Sequence, residues 1–278
     1  RNLANKIWNA SRFALMNLSI EKLHLPSKDK LSIEDKWILN SYNNLVKEVT
    51  DNLDKYELGI AVQKLYDFIW DELCDWYIEL VKPRFFTEGE SNTTAQQVLS
   101  YVLSNTLKLL HPFMPFITEE IYQNTPNHKG SIMVSDYPRY NSKANYKKDA
   151  EKTEIIMNII KSIRQIRVDT GCAPSKKVDL FVVSEFQKLI EKNSIYIEKL
   201  ANIGNIKFIE SKDCLDMKVV SQVLDKVELY VPLGELVDAQ KELSRLEGEL
   251  TKVESEIARA NGKLSNQGFL AKAPANLI

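Results

Sequence analysis

From Leu58 to Leu80 apolar side chains return every three or four positions, at Leu58, Val62, Leu65, Ile69, Leu73, Trp76 and Leu80, and Tyr66, Phe68, Trp70 and Tyr77 fill the flanks of that stripe. At 3.6 residues per turn such a run is apolar around most of its circumference, so it must be covered from several sides. The pattern predicts a central helix over 57–81, closed by Pro83, inside a helix bundle. Covering helices are present on both sides of it in the chain. Before it, Ser32 can N-cap a helix whose buried face reads Ile38, Tyr42, Leu45, Val49 and Leu53, and a first helix carries Leu3, Ile7, Ala10, Ala14 and Leu18. After it, "TEGESN" forms a loop, a fourth helix spans 94–110, and Pro112 and Pro115 end that helix and start a shorter one holding Thr118 to Tyr122.

Beyond Tyr122 the pattern changes. "PNHKGSIMVSDYPRYNSKANYKK" has little apolar periodicity and reads as a linker, which places the first boundary near Ala150. A helix over 150–168 is followed by "KKVDLFVV", "IGNIKFIE", "MKVVSQV" and "KVELYVP", short β-branched segments that suit a small α/β subdomain. From Leu236 the positions Leu236, Ala239, Leu243, Leu246, Leu250, Val253, Ile257, Ala260 and Leu264 alternate in steps of three and four, a coiled-coil seam that stops at "SNQGF". The fold class expected is mainly α: a helix bundle with its linker over 1–149, a small α/β subdomain over 150–232 and a coiled-coil helix over 233–278.

Charge is balanced overall, 37 Lys and Arg against 38 Asp and Glu, so an anionic partner must be met by local patches. Two such patches stand out. The opening run "RNLANKIWNASRF" has no acid, and on a helix Arg1, Asn5, Asn9 and Arg12 form one stripe with Trp8 at its edge. Arginine suits phosphate oxygens and asparagine can donate and accept on a base edge, which points to nucleic acid; solubility or helix-end hydrogen bonding would use the same residues. From Lys143 to Lys177 nine cations (Lys143, Lys147, Lys148, Lys152, Lys161, Arg164, Arg167, Lys176 and Lys177) oppose Asp149, Glu151, Glu154 and Asp169. A phosphate backbone or plain solvent fits that face. The acids between Asp51 and Glu79 are scattered around helices and read as a solvated face.

Other chemistry is missing from the pattern. His24, His111 and His128 share no metal spacing with one another or with Cys74, Cys172 and Cys214, and no metal site is expected. The odd, scattered cysteines read as reduced thiols of a cytoplasmic protein. No GxxxxGK[ST] loop, GxGxxG turn or GxSxG elbow occurs, no catalytic residue is expected, and no run of about 18 apolar residues is present to span a membrane. Arg1 at the start and "APANLI" at the end suggest a fragment of a longer chain.

Three stretches in order, "RNLANKIWNASRF", "LHPFMPFITEEIY" with "SIMVSDYP", and "IRQIRVDTGCAPSKK", resemble the C-terminal part of class I aminoacyl-tRNA synthetases. The heptads and "NQGFLAKAPANLI" resemble the first helix and turn of the antiparallel arm that marks the valyl-tRNA synthetase family. The resemblance implies that the bundle binds the anticodon stem and loop of tRNA(Val), that the arm reaches the tRNA elbow, and that Arg1, Asn5, Trp8, Asn9, Arg12, Lys161, Arg164, Arg167, Lys176 and Lys177 contact tRNA. It implies a full enzyme, monomeric and cytoplasmic, that joins valine to tRNA through valyl-adenylate using ATP with Mg and hydrolyses mischarged threonine; the fragment itself would need no cofactor, be inactive and could self-associate through its unpaired helix. "PSKK" at 174–177 is assigned no catalysis, because it follows the bundle. Two alternatives stay open on sequence: the equivalent region of an isoleucine or leucine enzyme, and a helical scaffold whose coiled coil binds protein.

Overall fold

Helical periodicity becomes helix throughout the first part of the computed structural model, which describes residues 2–126, 128–142, 144–236 and 239–265. The chain divides into two compact units, Arg1–Asn158 and Ile159–Ile278. The first unit is a bundle of α1 (Asn2–Met16), α2 (Ile33–Asp54), α3 (Leu58–Asp67), a π-helical segment (Phe68–Tyr77), α4 (Ile78–Phe85), α5 (Glu90–Leu110), α6 (Pro115–Tyr122) and the start of α7 (Lys147–Asp169). The fold is mainly α with a small α/β part, as the patterning indicates.

The central run differs from the single helix expected. It carries a π-helical middle and passes Pro83 to end at Phe85. Wider π turns place the buried pairs Phe68/Ile69 and Leu73/Cys74 five positions apart and bring Tyr77 fully inside. Burial pushes the Cys74 thiol up to about 12. Pro83 takes one N–H out of the last turn only, where carbonyls are already short of donors. What keeps the helix going is Arg84, one residue later. Its Nη1 donates to Glu34 Oε1 and to both carboxylate oxygens of Asp35, each at 2.9 Å, and to Ser32 Oγ at 2.9 Å. Its Nε and Nη2 donate to Ser91 Oγ at 3.0 Å and to the Ser91 carbonyl at 2.9 Å. Asp35 also accepts from the Tyr77 hydroxyl at 2.8 Å, and from the Ser32 backbone N–H and hydroxyl at 3.1 and 2.8 Å, a capping box at the start of α2. One guanidinium thus joins the start of α2, the end of α4 and the start of α5.

Amide side chains stitch the loops to this frame. Gln96 and Gln97 of α5 are buried; their Oε1 atoms accept from the Ser19 and His24 backbone N–H groups at 2.7 and 2.8 Å, which fixes the connection after α1. The linker is held on α2: Asn43 Oδ1 accepts from the Asn141 N–H at 2.9 Å and Asn40 Oδ1 from the Tyr146 N–H at 3.0 Å. These bonds give a segment without apolar periodicity a defined path.

In the second unit β1 (Val178–Ser184), α8 (Gln187–Lys192), α9 (Ser194–Ala201), β2 (Ile203–Phe208), β3 (Val219–Leu224), β4 (Val227–Pro232), α10 (Leu233–Leu236) and α11 (Ala239–Ser265) follow in order. The sheet order is β2-β1-β4-β3, with β1 and β2 parallel and the other pairs antiparallel. Parallel pairing needs a crossover, and α8 and α9 supply it. Leu180, Val182, Leu229 and Val231 are buried in the sheet's core. On α11 the seam residues Leu250, Val253 and Ile257 are 58, 51 and 54% exposed. The side chains of Ala239, Leu243, Leu246 and Leu264, and the turn expected from Asn266 onward, lie outside the described residues.

Removing one partner of a buried ion pair strands the other, so Arg84→Ala should lower unfolding free energy by about 3–5 kcal/mol in urea titrations. Glu34→Gln should behave differently. Burial first, then the Asp35 carboxylate, hold the Glu34 carboxyl above its ordinary value although Arg84 pulls it down. A carboxyl raised in the fold gives stability that is complete below its unfolded value and is lost as pH rises through the folded one. The Gln variant should therefore match or exceed the parent at neutral pH, and that advantage should vanish as pH falls below about 4. A large loss at neutral pH would show that the Glu34 charge is needed.

Candidate nucleic-acid interface

Three side chains of α1 turn fully inward: Ile7, Ser11 and Ala14. The buried face is narrower than the expected Leu3, Ile7, Ala10, Ala14 and Leu18, since Leu3 and Ala10 are half-buried and Leu18 lies past the helix end. Lys6 is taken by the fold. Its Nζ lies 2.8 Å from Asp75 and 3.7 Å above the Trp70 ring, both on the π-helical segment. Phe13 meets Phe85 edge to face at 5.9 Å, next to the Arg84 anchor. These contacts fix the rotation of α1 and leave Asn5, Trp8, Asn9 and Arg12 exposed. Arg12 has no hydrogen-bond or ion-pair partner among the described residues. Arg1 lies outside the described residues.

The edge of this face opens into a cleft of about 520 Å³ lined by Trp8, Ser11, Arg12 and Met16 of α1 and by Glu120 of α6 and Asn124 just past it. Trp8 is 46% exposed and Met16 74% exposed. Ser11, 1% exposed, has a hydroxyl with no hydrogen-bond partner. An exposed indole suits base stacking, and a free guanidinium suits phosphate or a guanine edge. The sequence stripe did not mark Ser11, Met16, Glu120 or Asn124. Only the packing of α6 beside α1 gathers them, and no spacing within the chain announces that.

In the second unit Lys161, Arg164 and Lys177 are exposed and Lys176 is half-buried. The Arg164 Nε donates to the Leu200 carbonyl at 2.8 Å. Arg167 corrects the expectation of a contact residue. It is 7% exposed, and its Nη2 donates to the carbonyls of Ala173, Pro174 and Lys176 at 2.8, 3.3 and 2.7 Å. A guanidinium enclosed by its own loop cannot reach a ligand, but it fixes the backbone that carries Lys176 and Lys177. Gly171 makes that loop possible. With φ +63 it ends α7, while Gly171 N–H donates to Val168 O at 3.1 Å and Cys172 N–H to Arg167 O at 2.9 Å, a Schellman closure. Asn202, itself at φ 54, adds a bond from Nδ2 to Pro174 O at 2.8 Å. Lys143 of the basic stretch lies outside the described residues.

Among the described residues no group of His, Cys, Asp or Glu could hold a metal ion, and no helix is long and apolar enough to cross a membrane. His111 Nδ1 lies 2.7 Å from Thr118 Oγ1, whose hydroxyl donates to Met114 O at 2.9 Å, so this histidine braces the Pro112–Pro115 turn. The three cysteines are free thiols, Cys74 and Cys172 buried and Cys214 exposed.

A family described as the anticodon-binding domain of tRNA ligase matches residues 35–184, and one described as the valyl tRNA synthetase tRNA binding arm matches residues 238–278. Valine–tRNA ligase of Clostridium acetobutylicum is 46% identical over 282 aligned residues, that of Clostridium perfringens 45% over 283, and that of Geobacillus stearothermophilus 40% over 284. Each alignment takes in 100% of this chain and 32% of the relative, so the chain spans about a third of the length of the curated relatives it matches.

Two substitutions separate contact from support. Arg12→Ala should weaken RNA binding by roughly 1–3 kcal/mol if the guanidinium reads a base, less if it meets phosphate, with the unfolding midpoint unchanged. Arg167→Ala should lower stability by about 1–3 kcal/mol, because it strips carbonyls of their donors. A fully stable Arg167→Ala protein would return that residue to the surface reading.

Proposed function

The chain belongs to the anticodon-binding-domain family of tRNA ligases, and on that premise we propose that it is the tRNA-binding part of a valine–tRNA ligase. The observation that carries the reading is the pair of matches in order, an anticodon-binding domain followed by a tRNA binding arm. The bundle binds the anticodon arm of tRNA(Val) through Asn5, Trp8, Asn9 and Arg12, together with Arg1, which lies outside the described residues. Lys161 and Arg164 of α7, and Lys176 and Lys177 on the loop that Arg167 holds in shape, meet backbone phosphates. The functional division is the bundle over 1–149, the α/β piece over 150–232 and the arm over 233–278. An isoleucine or leucine enzyme is disfavoured by the arm match.

Charging valine onto tRNA, through valyl-adenylate with ATP and Mg, and clearing mischarged threonine belong in this proposal to the whole enzyme, which works as a cytoplasmic monomer. The residues of this chain supply no glycine-rich phosphate loop, so no catalytic step is assigned to them. Editing answers a general limit of recognition: a hydrophobic pocket shaped for valine rejects the hydroxyl isostere threonine only by about 10², a case the chemistry of this same enzyme class exemplifies.

The chain alone should bind tRNA(Val) with an affinity that falls steeply with salt, the slope of log K against log salt reaching about −2 or beyond as several phosphates are neutralised. Filter binding between low and moderate salt measures it. A flat dependence, or no binding, would leave the coiled-coil scaffold as the better reading, for the exposed seam of Leu250, Val253 and Ile257 would then be the main surface available. Valine-dependent pyrophosphate exchange by the chain alone should not exceed the blank.

A further inference from the structure

On the bundle a second cleft, of about 190 Å³, is lined by Leu23, Ser104, Asn105, Lys108, Tyr122, Thr125, Pro126 and His128. Its polar groups are of one kind. Lysine, histidine, amide and hydroxyls converge, and none of the lining residues is an acid. Ser104, 6% exposed, has a hydroxyl without any hydrogen-bond partner. Lys108 makes no ion pair among the described residues; its Nζ lies 6.0 Å from the Tyr122 ring centroid. Burial holds the ammonium below its ordinary value, and Asp136 acts on it only at longer range. His128 Nδ1 donates to the Thr125 carbonyl at 3.0 Å and its ring stands edge to face on Tyr122 at 6.4 Å, so Nε2 faces a ligand as an acceptor in the neutral ring and as a donor in the imidazolium. Asn105 gives one amide hydrogen to Tyr101 O at 2.8 Å and keeps the other.

Such a set is costly as it stands. A partly buried ammonium that Asp136 reaches only at longer range and a buried hydroxyl without a bond both lose hydration that the described residues do not fully return. A tetrahedral oxyanion would answer both at once, through a charge-assisted bond from Lys108 and bonds from Ser104 and Asn105. The cleft is several times the roughly 30 Å³ share of one water molecule and admits such a group. We propose that the Ser104–Lys108–His128 cleft is a binding site for the phosphate group of a phosphate ester. Two sources carry that group, a phosphodiester of an RNA backbone and a free small phosphate monoester.

The test uses the 278-residue chain, titrated with inorganic phosphate against sodium chloride at equal ionic strength while the His128 ring and Asn105 amide resonances are followed. Phosphate should move both in a saturable way that chloride does not. Lys108→Met, which keeps the apolar stem, should weaken the effect about tenfold or more. Ser104→Ala should weaken it too while leaving the thermal midpoint equal or higher, since it deletes a hydroxyl that bonds to nothing; a purely structural serine would not separate these readouts. Further arms identify the source. If RNA backbone occupies the cleft, phosphate should inhibit tRNA binding more than matched chloride, and Lys108→Met should reduce the salt slope by about 1. If a small monoester occupies it, ribose 5-phosphate should bind and tRNA binding should be indifferent to it. Either pattern supports the site, and the phosphate titration reads out even if the chain binds no tRNA. Resonances that respond to phosphate as they do to chloride, or identically in Lys108→Met, would overturn it.

Discussion

Arg84 is enclosed by the bundle, and its charge is balanced there by Asp35 and Glu34, themselves almost wholly buried. Taking those charges out of water costs several kcal/mol per ion and is offset only by near-complete hydrogen bonding. The geometry meets that condition: Ser32, Tyr77 and Ser91 supply the remaining donors and acceptors around the ion pair. The net worth of such a cluster lies in specificity. A slipped α2, a helix stopped at Pro83, or a differently turned π segment would leave a buried charge without its partner.

The exposed face of α1 inherits its orientation from that cluster. Phe85, the neighbour of Arg84, packs on Phe13, and Lys82 stands over the same Phe13 ring at 5.4 Å. From the other side, Asp75 and Trp70 of the π segment hold Lys6. With both ends of the contact fixed, Asn5, Trp8, Asn9 and Arg12 have one way to face. The same logic recurs in the second unit on a smaller scale, where a buried arginine shapes the loop that presents two lysines. In each unit a buried arginine supports the surface that carries the exposed cations.

Much of this was legible in the residues. The Ser32 cap, the proline-marked restart at Pro115 and the four β-branched segments each became the expected element, and the stripe from Leu58 to Leu80 became the buried helical run, though not its π-helical middle or its end past Pro83, because these signals are local: period, cap and turn chemistry. The misses share another cause. Arg84 after a proline and Glu34–Asp35 near a helix start carry no local signal of burial or of a role, although Ser32 with Asp35 three positions on is the pattern of a capping box. Their partners are some fifty positions apart in the chain, as with Arg84 and Glu34. Arg167 shares a helix face with Arg164, yet one lies buried and the other exposed, a difference set by the turn at Gly171 and invisible to periodicity. The clefts beside Trp8 and Lys108 arise where separate elements meet, so no contiguous motif marks them.

The central claim is that the buried arginine cluster turns the polar face of α1 toward the anticodon arm. Site-specific photo-crosslinking tests it most directly, with a benzophenone side chain placed at Asn9 and the attachment point mapped on tRNA(Val) by primer extension. The account predicts crosslinks confined to the anticodon stem and loop, and their loss when Arg84→Ala is combined with the probe. Crosslinks to the acceptor stem or elbow, or an unchanged pattern without Arg84, would contradict it.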